Sequence, residues 1–306
     1  MAAAAFAALA GAAQRSGPHA LALPAALCAS SAARPIPCAS TVPGFGPGSN
    51  MTQALRCIAF VSPLGGTGQT TVVANMASLW SAVGVPCMAV DLCAQNSLGL
   101  HLGQTHPAPD GWAQRVEQGQ WWAESALENS AQVRFLPFGS PTLQSAPQNL
   151  QHDPHWLSTQ LQACAWDDNS LVLLDTPQWP QALATQALRC ADLVVVCLDT
   201  TPRAPLLQTQ VQRLLDQARP SAGLALLATR FNPRRDAQRL ALQTLQQQWP
   251  QLLAPYVLHD DESVPAALAA AHCVSAHAPQ AQSAHDLNGI ARWLLARCPT
   301  SPQGEA

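Results

Sequence analysis

The stretch RCIAFVSPLGGTGQTTVV, residues 56–73, runs through three kinds of local sequence without a break. Residues 56–62 (RCIAFVS) form a short apolar run with no polar alternation, as a strand buried on both faces requires. Residues 63–71 (PLGGTGQTT) follow, where Gly65, Gly66 and Gly68 free the backbone to turn. From Thr70 to Val83 the apolar residues return at helical spacing.

The rest of the chain repeats this theme. Residues 86–91 (PCMAVD), 170–175 (SLVLLD), 192–199 (DLVVVCLD), 223–229 (GLALLAT) and 253–258 read as further strands, and 133–137 as a weaker one. Helical patterns cover 155–165, 181–189, 205–217, 235–249, 262–271 and 285–297. Strands apolar on both faces, alternating with helices, predict an α/β fold: a doubly wound, mostly parallel sheet flanked by helices and joined by right-handed crossovers. Residues 111–129, with Trp112, Trp121 and Trp122, interrupt the alternation and read as short helices on a lobe beside the glycine-rich turn. These tryptophans suit either a partner surface or core packing.

Composition divides the chain. Residues 1–50 are rich in Ala, Pro, Ser and Gly, with Arg15 and Arg34 as their only charges, and read either as a disordered extension or as sequence ahead of a true start at Met51. Nothing basic precedes the apolar residues 2–13, so a signal peptide is not indicated. Residues 51–298 are the α/β domain and 299–306 a disordered tail. No run approaches the roughly 18 apolar residues of a spanning helix.

All fifteen basic residues are arginine, and formal net charge is −3. No basic face is visible, which argues against nucleic acid as the main ligand. The ten cysteines include no C-x-x-C pair, and several lie inside apolar runs. They read as buried thiols in a cytoplasmic protein rather than a disulfide framework or zinc site. His259, His272, His277 and His285, among the nine histidines, show no metal-ligand spacing and read as surface or loop residues. The last helix carries Leu287, Ile290, Trp293 and Leu294 on one face, but its polar face holds Asp286 beside Arg292 and Arg297. Packing onto the domain fits that pattern better than a membrane surface.

A strand, a glycine-rich turn and a helix make a phosphate-binding P-loop, normally G-x-x-x-x-G-K-[ST]. Its backbone N–H groups and helix N-terminus cradle phosphate, a lysine neutralises it, and a hydroxyl binds Mg²⁺. Gly65, Gly66, Thr67, Gly68, Gln69, Thr70 and Thr71 stand at the nucleotide-binding positions, with Gln69 where the lysine belongs. Asp91 and Asp175 end two apolar strands, where α/β sheets bind ligands. Together with Thr70 they are the candidate Mg²⁺ ligands for bound ATP. Each aspartate also suits a turn or cap.

The segments GGTGQTT (65–71), VDLCAQNSL (90–98) and LLDTP (173–177) resemble the deviant loop and two switch segments of the MinD/ParA P-loop family. Val90, Asp91, Cys93, Asn96 and Leu98, with LHDDESVPAALAAAHCV (258–274), are similar to the cellulose-biosynthesis branch of that family, BcsQ (YhjQ). The resemblance spans residues 56–297. It implies an ATP-responsive accessory factor of the bacterial cellulose synthase complex. Such a factor dimerises face to face over nucleotide, binds synthase components and small helical regulators, and reaches the inner membrane only through partners.

Three departures bear on mechanism. The family's two loop lysines fall on Leu64 and Gln69, and its water-orienting aspartate on Cys93. The reading is therefore a degenerate ATP-binding switch or scaffold with little or no hydrolysis and no catalytic residue. An active MinD/ParA-type ATPase positioning cargo is the alternative. An electron-transfer ATPase would need cluster cysteines that the strand-borne ones do not supply. Arg230, after the strand LALLAT, falls near where relatives hold adenine and reads as a surface residue.

Overall fold

The computed structural model describes residues 34–35, 55–139, 150, 153–167 and 169–298. The proposed extension therefore lies outside the described residues except for Arg34–Pro35, and the tail lies wholly outside them.

Among the described residues one nine-stranded sheet forms, in the order β1-β4-β5-β3-β6-β2-β7-β8-β9. Its strands are β1 (Arg34–Pro35), β2 (Arg56–Val61), β3 (Cys87–Asp91), β4 (Leu127–Glu128), β5 (Arg134–Leu136), β6 (Leu171–Asp175), β7 (Leu193–Asp199), β8 (Gly223–Phe231) and β9 (Leu253–His259). From β5 to β9 across the sheet all pairings are parallel, and β4 and β1 add antiparallel pairings at one edge. The sheet is thus mostly parallel, as the continuous apolar runs require.

Alternate residues of β2 explain why both faces must be covered. Ile58 and Phe60 point into one core and Cys57, Ala59 and Val61 into the other, and all five are buried. The first core is closed by α1 (Gln69–Ala82), α2 (Leu98–His101), α8 (Ser263–Ala269), α9 (Val274–His277) and α10 (Gln282–Arg297). The second takes α3 (Trp112–Glu117), α4 (Trp156–Ala163), α5 (Ala182–Cys190), α6 (Gln208–Leu215) and α7 (Asp236–Gln248).

Residues 205–217 are not one helix. A 3₁₀ turn, Ala204–Leu207, with Pro205 in its first turn, where no intrahelical N–H bond is needed, leads directly into α6. The 111–129 segment is not a separate lobe either. Trp112 and Trp122 are buried and pack against Trp156, tilted and edge-on, at centroid distances of 5.4 and 5.8 Å, so this segment completes the second core. These two tryptophans are core rather than a partner surface, and Trp121 packs half-buried beside them.

The last helix docks as its pattern predicts. Leu287, Ile290 and Leu294 are buried, and the Trp80 indole of α1 donates to the Ala291 carbonyl at 3.1 Å. Seven described cysteines are buried and Cys190 is half-buried, all as free thiols. Two histidines depart from the surface assignment. His101 is buried in α2, and His259 in β9 pairs with Asp286 at 2.8 Å. Among the described residues no helix is long and apolar enough to cross a membrane.

Candidate functional site

Parallel pairing brings the carboxyl ends of β2, β3, β6, β7 and β8 to one edge of the sheet, and β2 lies between β6 and β7 at the point where strand order reverses. A crevice opens there in such folds. The loop after β2 fills it. Gly66 and Gly68 take left-handed φ of 74° and 78°, which only glycine adopts without strain. Gly68 caps α1, and the Val72 N–H returns to its carbonyl at 3.0 Å.

Neighbouring strand ends hold the loop in shape. The Thr229 hydroxyl donates to the Thr67 carbonyl at 2.6 Å. The Ser62 hydroxyl accepts from the Leu64 N–H at 3.0 Å, and the Gln178 amide donates to the Pro63 carbonyl at 2.9 Å. Leu64 is only 8% exposed, so the first of the two loop-lysine positions is occupied by a side chain packed in the core. Gln69 is also committed. Its amide donates to Asp175 Oδ1 at 2.7 Å and to the Thr176 carbonyl at 2.8 Å.

Behind the loop, Asp91 and Asp175 are register partners on β3 and β6, and both are buried. Asp91 accepts the Cys93 N–H on one oxygen at 2.9 Å and the Leu98 N–H on the other at 3.0 Å, so it shapes the turn after β3. Asn96, at φ 49°, closes that turn by donating to the Ala108 and Gly139 carbonyls. Trp112 donates to the Asp91 carbonyl at 2.7 Å.

Burial raises the Asp91 carboxyl well above the usual range, and the Asp175 charge raises it further against the pull of the backbone N–H groups. Burial raises Asp175 too, opposed by Thr70 and Gln69. Burial likewise pushes the Cys93 thiol up, so it is protonated and no substitute for a carboxylate. Asp175 Oδ2 is buried without a hydrogen-bond partner. An orphaned carboxylate oxygen beside the Thr70 hydroxyl is a hard donor set of the kind Mg²⁺ takes.

Two cavities meet at the loop. The larger, about 550 Å³, is lined by residues 64–71 and by the segments after β3 and β6, and none of these described lining side chains is charged. The smaller, about 290 Å³, shares Gly66, Gly68 and Thr71 and extends to His101, Arg230, His259 and Leu268. Burial lowers His101 to about 4, so its ring is neutral. Arg230 stands at this junction, its Nη1 donating to the Gly66 carbonyl at 2.8 Å.

The seven loop residues singled out in the sequence therefore line the larger cavity together. Asp91 and Asp175 lie beneath it rather than in its wall. The reach of Arg230 and the clamp of Thr229 were not legible, because they depend on where the end of β8 falls against the loop.

A family model for "Cellulose biosynthesis protein BcsQ" matches residues 55–295. The Escherichia coli K12 cellulose biosynthesis protein BcsQ is 28% identical over 241 residues, covering 76% of this chain and 90% of that protein. The Salmonella typhimurium protein of the same name is 28% identical over 237 residues, covering 76% and 90%. Among solved structures, cobyrinic acid a,c-diamide synthase from Mycobacterium smegmatis, with bound ATP analog and magnesium, aligns at TM-score 0.66 and 20% identity over 81% of this chain and all of that one. MinD from Pyrococcus horikoshii, complexed with Mg-ADP, aligns at 0.63 and 18% identity over 79% and 98%.

Proposed function

The chain belongs to the BcsQ family of cellulose biosynthesis proteins, and from that premise we propose that it is an accessory factor of the cellulose synthase complex working as a nucleotide-clamped scaffold with little or no hydrolysis. The observation that carries this reading is a phosphate loop whose backbone is formed while its cationic side chains are missing. Gly66 and Gly68 hold left-handed turns, the conformation by which successive N–H groups can form an anion-binding concavity. Leu64 is buried, Gln69 is tied to Asp175, and Cys93 is a protonated thiol.

Anions still suit the loop, because helix N-termini and successive N–H groups favour them without lysine. Phosphates would lie along residues 65–71 and the base in the smaller cavity. Thr70 and Asp175 would hold Mg²⁺, which neutralises phosphate charge when bound, with Asp91 fixing the turn beside them. Hydrolysis is a different demand. Each donor aimed at developing charge contributes about 10²–10³ in rate, and groups acting as a unit fail together. With both lysines and the water-orienting carboxylate replaced, binding survives and turnover does not.

The loop, the turn after β3 and the segment after β6 share one face, which is the face proposed for a homodimer. Synthase components and small helical regulators are the proposed partners, nucleic acid is not, and a cytoplasmic protein would reach the membrane through those partners. Calorimetry with ATP and Mg²⁺ beside a phosphate-release assay tests the reading. Binding without release supports it. Turnover on the order of 1 s⁻¹, within the ordinary enzyme range, overturns it.

A further inference from the structure

Among the described residues, Arg230 is the only arginine lining either cavity of the site, and none of those lining the larger cavity is charged. It stands one residue before the end of β8 in a left-handed conformation, φ 56°, which is uncommon and strained for an arginine. Two hydrogen bonds hold it there. The Thr200 hydroxyl donates to its carbonyl at 3.2 Å, and its own Nη1 donates to the Gly66 carbonyl at 2.8 Å.

Among the described residues no carboxylate forms an ion pair with Arg230. The acids sharing its cavity are engaged elsewhere. Asp260 faces Arg235 at 3.9 Å, and Asp261 accepts the Ser263 and Ser283 N–H groups at 2.9 Å each. Held by one donor on the loop, the exposed guanidinium keeps its remaining donors available at the seam between the cavities. Strain maintained by surrounding bonds, an unpaired charge and a loop lacking its lysine meet at one residue.

We infer that Arg230 is the phosphate-binding cation of this site, replacing the missing loop lysines from the side of the base. The inference rests on the nucleotide reading above. It adds a specificity consequence. A lysine in the loop would meet the terminal phosphates. Arg230 lines the smaller cavity and meets the ligand where phosphate joins sugar, a part common to nucleoside di- and triphosphates. The site therefore holds ATP and ADP about equally, which suits a static clamp rather than a switch read by the terminal phosphate.

The test is titration calorimetry on the full chain with Mg²⁺, using ATP, ADP and adenosine in turn. The wild type is compared with Arg230→Gly, which removes the side chain and tolerates the left-handed backbone, and with Arg230→Lys, which keeps the charge. Circular dichroism confirms folding of each variant. The expected result is wild-type ATP and ADP affinities within about threefold of each other. Arg230→Gly should lose about 10- to 100-fold for both nucleotides, the range for a charge-assisted hydrogen bond, with adenosine unchanged and Arg230→Lys in between. Undiminished nucleotide binding by Arg230→Gly, an equal loss for adenosine, or a strong preference for ATP overturns the inference alone. A wild type that binds no nucleotide overturns the scaffold reading itself.

Discussion

Gln69 commits both hydrogens of its amide to protein acceptors, Asp175 Oδ1 and the Thr176 carbonyl, and so stands in the lysine's place without supplying its charge. Gln69→Lys would set an ammonium beside Asp175, favouring its ionised form, and would offer a phosphate ligand on the wall of the larger cavity. ATP affinity should rise about 10-fold, the value of roughly one charge-assisted contact. Phosphate release should stay at background, because Leu64 and Cys93 remain. Calorimetry and a release assay on this variant separate the two effects, and a gain in turnover would mean that one lysine suffices for chemistry here.

Cys93 is the second informative residue. Its sulfur and carboxylate oxygens of Asp91 and Asp175 lie within 4.8 Å of one another, all buried. Restoring the family's aspartate there would add a third carboxylate to a pair that already resists ionising. Cys93→Asp should destabilise the ligand-free protein by about 3 kcal/mol, in the range for an uncompensated buried charge. The measurement is a urea midpoint. An unchanged midpoint would show that the turn after β3 opens to water.

Among elements, the crossing of two backbone segments is the tightest constraint near the site. A Cβ on Gly111 would lie 2.2 Å from the Gly139 N, with no side chain there to move aside. The same crossing carries the Trp112 N–H to the Pro137 carbonyl and the Ala113 N–H to the Phe138 carbonyl, each at 3.1 Å. Gly111→Ala must push these two backbone segments apart next to the Trp112 contact with Asp91, so a loss of more than about 3 kcal/mol is expected from thermal or urea unfolding. At the other end of the chain, α10 packs on β9 and α1. Ile290→Ala should cost about 2–4 kcal/mol as a buried truncation, whereas a helix peeling off to bind lipid would tolerate it.

What the sequence revealed follows the same division. Six strands were legible because each is a continuous apolar run of strand length, which a mostly parallel sheet explains, whereas β5, with Arg134 in its run, gave the weaker signal. The loop was legible because glycine spacing between a strand and a helix has few other uses. Strands of two residues, such as β4 at Leu127–Glu128, carry too little pattern to detect. The burial of Leu64, the facing of Asp91 with Asp175 and the reach of Arg230 depend on register between distant strands. The glycine-rich crossing at residues 111 and 139 is likewise a contact between parts of the chain that sequence cannot bring together.

For the whole molecule, stability should report the charge state of the buried pair. Asp91 is pushed up to about 8 and Asp175 to about 6, against 3.8 for an ordinary carboxyl. A carboxyl raised on folding binds more protons in the native state, so stability falls as pH rises from the unfolded value through the folded one. Its contribution is complete below about pH 4 and is lost toward pH 8. His101, lowered to about 4 from 6.5, acts in the opposite sense: its contribution is complete above the unfolded value and is lost as pH falls through the folded one. The two oppose each other below pH 6.5 and only the carboxylates act above it. The melting temperature of the ligand-free protein should therefore drop by several degrees between pH 6.5 and pH 8, at up to about 1.4 kcal/mol per pH unit for each proton retained. A cation taken up at Asp175 reverses this balance, because it favours the ionised pair. Nucleotide with Mg²⁺ should then flatten the pH dependence and release a proton on binding. Calorimetry at pH 7 in two buffers of different ionisation enthalpy measures that proton directly. Binding heat identical in both buffers would mean that the carboxylates are already ionised, or that the ligand never reaches them.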